Sequence, residues 1–205
     1  IASLRDASPH PLLTEETGAH GEISPDAPAW IVDPLDGTLN YSRGIPLCAV
    51  SIALWRGGEP LVGVVYDFNR DELFSGAAGL GARLNDAPIS PSGIVEPERA
   101  VLATGFPVNR DFSTDSVGEF VKRIIAFKKV RLLGSAALSL AYAASGRVDA
   151  YCEEDIMFWD VAAGLAIVSA AGGAARVEPS SRKEWARDVW VGEVFHGGRA
   201  LKEQA

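Results

Sequence analysis

Between residues 47 and 84 short runs rich in Val, Ile, Leu and aromatic residues alternate with turn residues. Runs 47–55 and 61–66 are joined by Arg56-Gly57-Gly58-Glu59-Pro60, which is hairpin chemistry. Runs 73–75 and 82–84 continue the meander, with Asn85-Asp86 as the next turn. Beyond Val101 the pattern changes. Residues 101–104 read as a strand, and 115–128 place Val117, Phe120, Val121, Ile124 and Ile125 at helical spacing behind an N-cap at Thr114 or Asp115. Then come a strand at 130–133, a small-residue helix at 135–144 closed by Gly146, a strand at 148–152, and a helix at 159–171 stopped by Gly172-Gly173. Strands at 175–177 and 189–191 and a terminal helix from Arg199 complete the reading. Antiparallel strands followed by alternating strands and helices predict a layered α/β (α+β) arrangement.

The 205 residues, 47% of them hydrophobic, suffice for one sizeable globular domain or two small ones. A formal net charge of −8 argues against nucleic acid as partner, because polyanion binding needs a basic surface. It leaves a phosphate substrate open, provided divalent cations sit between the two negative partners. Cys48 and Cys152 lie in apolar runs without metal-ligand spacing and read as buried, reduced thiols. The longest apolar stretch, 161–177, is rich in Ala and Gly and shorter than the ~20 apolar residues of a membrane span. A soluble cytoplasmic protein with no membrane partner is the expectation.

The segment carrying chemistry is Trp30-Ile31-Val32-Asp33-Pro34-Leu35-Asp36-Gly37-Thr38. A short buried strand, 29–33, is expected to stop at Pro34. Two carboxylates bracket that proline, and Gly37 lets the backbone approach a ligand closely. Carboxylates packed together raise one another's pKa unless cations neutralise them, and oxygen-only clusters suit magnesium. Taken alone, the pair reads equally well as turn capping. Asp160, at the start of an apolar helix, reads alone as a cap, and Glu15-Glu16 as a solvated loop pair.

Together and in order, "TEET", "WIVDPLDGT", "GSAA" and "FWDVAAG" resemble the inositol monophosphatase family, whose pattern runs GEES, W-x-[IV]-D-P-[IL]-D-G-T, G-[ST]-A-A and W-D-x-A-[AG]. The resemblance spans most of the chain from Glu15 onward. It implies the αβαβα sandwich of the inositol monophosphatase and fructose-1,6-bisphosphatase type, lacking the helices that precede the Glu pair in that family. Residues 1–205 would form one such domain, with a metal-binding antiparallel-sheet half at 1–110 and a C-terminal α/β half at 111–205. It also implies a homodimer and sensitivity to lithium.

Carried over residue by residue, the resemblance makes Glu15, Asp33, the Leu35 carbonyl, Asp36 and Asp160 the magnesium ligands. Glu22 would be a bystander. Glu15 and Thr38 would be catalytic, the Thr38 hydroxyl by orienting the attacking water. Asp36, Gly37, Thr38, Gly134, Ser135, Ala136, Glu153 and Asp160 would meet the substrate, although 134–136 read equally well as helix packing and Glu154 adjoins Glu153. The implied reaction is magnesium-assisted, in-line hydrolysis of a small phosphate ester, using two or three ions. Leu39-Asn40-Tyr41 resembles the Thr-Asn-Phe of inositol monophosphatases, so inositol monophosphate or a related sugar phosphate leads. Fructose-1,6-bisphosphatase or bisphosphate nucleotidase activity, or a catalytically weak metal-binding regulator, are the alternatives.

Overall fold

The computed structural model describes residues 2–24, 26–106 and 113–196. In chain order these form α1 (Ala2–Ala7), β1 (Leu12–Thr14), β2 (Gly18–His20), β3 (Ala29–Asp36), α2 (Thr38–Ser42), β4 (Ala49–Arg56), β5 (Glu59–Asp67), β6 (Glu72–Ala77), β7 (Gly81–Leu84) and β8 (Ala87–Pro88). There follow β9 (Val101–Thr104), α3 (Thr114–Ile125), β10 (Lys129–Arg131), α4 (Ala136–Ala144), β11 (Ala150–Met157), α5 (Phe158–Ala170), β12 (Ala175–Pro179) and β13 (Ala186–Val191). The terminal helix expected from Arg199 lies outside the described residues.

The first sheet has eight strands in the order β2-β1-β3-β4-β5-β6-β7-β8. Its centre is the antiparallel meander legible in the sequence. Gly57 and Gly58, both at positive φ, make the tight turn between β4 and β5. The sheet is mixed rather than purely antiparallel, because β1 pairs parallel with β3. The second sheet runs β10-β9-β11-β13-β12. It includes β9, so a division at residue 110 does not separate the two sheets.

Helices α4 and α5 lie between the sheets. The inward positions of the first sheet (Ala49, Ala53, Val65, Phe74) and of the second (Ala103, Tyr151, Val189) join the two helices in one core. The helices are apolar all round, as a middle layer must be. Gly63 is required here, since a Cβ on it would collide with the Ala163 carbonyl of α5. The far face of the second sheet (Leu102, Ala150, Cys152) packs on Phe127 and Ile124 at the end of α3, forming a smaller core. The layers are therefore sheet, helix pair, sheet, helix. On the outer face of the first sheet, Ile52 pairs with Val64 and Leu54 with Val62, all only partly buried.

Strand β3 does not stop at Pro34. It runs on to Asp36 through an irregularity in which the pairing with β4 shifts between Asp33 and Asp36. Pro34 sits inside that bulge, where its missing N–H breaks no ladder bond. Both cysteines are buried and free. Among the described residues, no helix is long and apolar enough to cross a membrane.

Candidate active site

The site is assembled where β1, β3 and α5 meet. The Glu15 N–H donates to the Val32 carbonyl at 3.3 Å, so the chain leaving β1 stays beside β3. Across the ladder from Asp33 stands Ser51 of β4, whose hydroxyl donates to the Trp159 carbonyl at 3.3 Å. The Trp55 indole N–H donates to the Ala162 carbonyl at 3.1 Å. These bonds fix the first turn of α5 on the sheet and carry Asp160 to Asp33. Carboxylate oxygens of Glu15, Asp33 and Asp160 come within 4.8 Å of one another.

Burial first, then the neighbouring charges of Asp36, Asp33, Glu15 and Glu153, push Asp160 up to about 9. Asp33 is raised as well, mainly by burial, with Asp36 and Glu15 adding to the effect and the Leu35 N–H opposing it. The raised carboxylates of buried Asp33 and partly buried Asp160, beside the exposed Glu15, make an all-oxygen set that a hard divalent cation stabilises, so these residues fit magnesium.

Asp36 lies beside this group, but its Oδ2 faces the start of α4. It accepts the Ser135 hydroxyl and, at 3.1 Å, the Ala137 N–H. Burial raises Asp36 to about 7 against the lowering effect of those bonds. Ser135 is also the N-cap of α4, accepting the Leu138 N–H at 3.2 Å. One oxygen of Asp36 is therefore committed to α4, a geometry different from that of the other three carboxylates. Thr38 opens α2 and donates to the Leu35 carbonyl at 2.9 Å, so that expected ligand already accepts one bond. Gly37 has φ 83°, and a Cβ there would come 2.7 Å from the Leu47 carbonyl.

Asp36 and Asp160 line a cavity of about 250 Å³ whose other walls include Gly134, Ser135, Ala136 and Glu153. Glu153 is partly buried, which raises its pKa against the opposing bonds from Tyr151 and Gly105. The Tyr151 hydroxyl donates to Glu153 Oε2 at 2.9 Å. Glu154 turns the other way and pairs with Arg123 at 2.5 Å, which decides which of the two glutamates faces the cavity.

Four supporting residues escape the sequence reading. Ser51 and Tyr151 are described above. Gly105 is required because a Cβ on it would run into the Glu153 carboxylate. Asn40, read from sequence as a mark of substrate class, is a clamp. Its Nδ2 donates to the carbonyls of Leu47 and Leu133, each at 2.8 Å, and so ties the Asp36-Gly37-Thr38 segment to the 134–136 segment. Only Gly105, closing a strand, carries any local signal.

The sequence model of the inositol monophosphatase family matches residues 2–190. The chain belongs to that family. It is 43% identical over 176 residues to the inositol-1-monophosphatase of Mesorhizobium japonicum, covering 84% of this chain and 65% of that protein. It is 41% identical over 175 residues to the Nus factor SuhB of Salmonella typhimurium, again covering 84% of this chain and 65% of that one. The match thus spans just under two thirds of these relatives. Among solved structures, an inositol monophosphatase from Anabaena (Nostoc) superposes with a TM-score of 0.84 at 41% identity, covering 94% of this chain and 78% of that one.

Proposed function

We propose that this chain is a magnesium-dependent phosphomonoesterase acting on a small phosphorylated metabolite, with inositol monophosphate or a related sugar phosphate as substrate. The observation that carries the reading is the approach of Glu15, Asp33 and Asp160 within 4.8 Å, with Asp160 also lining the 250 Å³ cavity. Its family membership and its likeness to a protein named inositol-1-monophosphatase support the substrate class. A homodimer in the cytoplasm belongs to the same proposal.

Magnesium held by Glu15, Asp33 and Asp160, with Asp36 and the Leu35 carbonyl beside them, would supply the positive charge that lets a phosphate approach so acidic a site. Gly37 and Thr38 meet the phosphate. Glu15 and the Thr38 hydroxyl orient a water in line with the scissile bond, and Glu15 takes its proton. The water oxygen bonds to phosphorus as the bond from phosphorus to the ester oxygen breaks, and the departing oxygen takes a proton from solvent. Glu153, aimed by Tyr151 and seated against Gly105, accepts hydrogen bonds from sugar hydroxyls on the wall formed by Gly134, Ser135 and Ala136. Binding energy at those hydroxyls fixes the ester in place.

A second reading, a metal-binding regulator with weak turnover, is favoured by the similarity to proteins named Nus factor SuhB. Phosphate release from inositol 1-phosphate, fructose 1,6-bisphosphate and a nucleoside 3′,5′-bisphosphate, with magnesium and with excess chelator, tests the two. The phosphatase reading expects inositol 1-phosphate to turn over fastest and every activity to vanish with chelator. Magnesium binding with no release from any substrate would select the regulator.

A further inference from the structure

A groove of about 650 Å³ opens between the β4–β5 turn and the second sheet, separate from the 250 Å³ active-site cavity. Its volume is within the range of about 300–1,000 Å³ usual for small-molecule sites. The walls are aromatic. Trp55 and Phe158 meet edge-on with ring centroids 5.0 Å apart, and Trp185 and Leu165 extend the surface. Two arginines, Arg56 and Arg187, also line it, and none of the described lining residues is acidic. That is unusual in a chain of net charge −8.

Arg187 is the informative group. Its guanidinium lies 4.8 Å from the centre of the Phe158 ring. Its Nη1 donates to the carbonyls of Ala186 at 2.8 Å and Glu184 at 3.4 Å. Among the described residues it has no carboxylate partner, and partial burial lowers its pKa with no opposing charge. Arg123, the other described arginine that is not exposed, faces Glu154 at 2.5 Å. A partly desolvated cation held against an aromatic wall without a counter-ion favours an anion beside it.

We infer that this groove binds a small amphipathic anion, a flat apolar body resting on Trp55, Phe158 and Trp185 with a carboxylate on Arg187. The aromatic rings supply stacking area, and the guanidinium supplies a charge-assisted bond that a neutral analogue cannot match. The groove backs onto the active site through one turn of chain. Ile156 lines the active-site cavity, and Phe158, two residues on, lines the groove. The Phe158 N–H donates to the Trp185 carbonyl at 2.8 Å, anchoring that turn.

Naphthalene-2-carboxylate and its isosteric neutral amide, titrated without magnesium and followed by tryptophan fluorescence and calorimetry, provide the test. The carboxylate should bind at least about tenfold more tightly, which is ~1.4 kcal/mol. Arg187→Gln should remove that preference while leaving the amide unchanged. Ser169→Trp, a bulky side chain at another lining position, should block both compounds. Equal affinity of the two compounds for the unaltered chain would overturn the proposal even if Arg187→Gln failed to fold. A carboxylate preference that survives in Arg187→Gln would overturn it too.

Discussion

Ser135 donates its hydroxyl proton to the carboxylate of Asp36, 99 residues earlier in the chain, and the same oxygen caps helix α4. One side chain therefore serves both the fold and the site. Ser135→Ala should lose an N-cap worth ~0.5–2 kcal/mol, measurable as a lower urea midpoint. It should also cost about 10–100-fold in magnesium affinity or phosphate release, the usual effect of removing a partner that orients an acidic group in a metal site. A variant with lowered stability but unaltered turnover would reduce Ser135 to a cap alone.

The raised carboxylates make the metal-free protein pH-dependent in a definite direction. Asp36 and Asp160 hold their protons to about 7 and about 9, above the ordinary 3.8 they have when unfolded. Below about pH 4 both states are protonated and the two groups contribute no difference. From there up to about 7 and 9, the unfolded chain has released protons that the folded chain retains, so stability falls as pH rises. The melting temperature without metal should decline from pH 5 to pH 9. Added magnesium should recover more at pH 8 than at pH 5, with protons released on binding. A melting temperature equal at both ends of that range, with magnesium equally effective, would contradict the assignment.

Much of the fold was legible because its signals are local. The meander from β4 to β7 follows from alternating runs and turn residues, and α3, α4 and α5 follow from spacing and stop signals. The three-residue strands β1 and β2 and the five-residue α2 are too short to carry a period, so Leu12–Thr14 and Thr38–Ser42 went unread. Pro34 misled for a physical reason: a proline stops a regular ladder, but a bulge has already vacated the bond it would break. The candidate ligands were legible as motifs. Their supports were not: Ser51 and Gly105 act on residues distant in sequence, and the bond from Tyr151 to Glu153, two residues on, leaves no pattern that a strand lacks. Nothing local to Asn40 reveals a clamp reaching 93 residues along the chain to Leu133.

The Glu153 pocket predicts a change of selectivity rather than a loss of chemistry. Gly105→Ala must displace the Glu153 carboxylate, since the added methyl would occupy its position. Tyr151→Phe removes the donor at 2.9 Å from Oε2 and leaves a partly buried carboxylate short of a partner, a cost of ~1–3 kcal/mol. For both variants kcat/KM should fall for inositol 1-phosphate, while p-nitrophenyl phosphate, which has no sugar hydroxyls, should be affected far less. An equal loss on both substrates would place Glu153 outside substrate recognition.

The central claim is that Glu15, Asp33 and Asp160 hold the metal on which activity depends. Calorimetric titration of magnesium into the chain, into Asp33→Asn and into Glu22→Gln tests it most directly. Asp33 is 1% exposed at the meeting point of β3 and α5, whereas Glu22 is exposed on a separate surface with Arg5 and His10. Asp33→Asn should weaken magnesium by at least about tenfold, ~1.4 kcal/mol. Glu22→Gln should titrate like the unaltered chain. Equal affinity in all three would mean that the metal centre has been placed on the wrong residues.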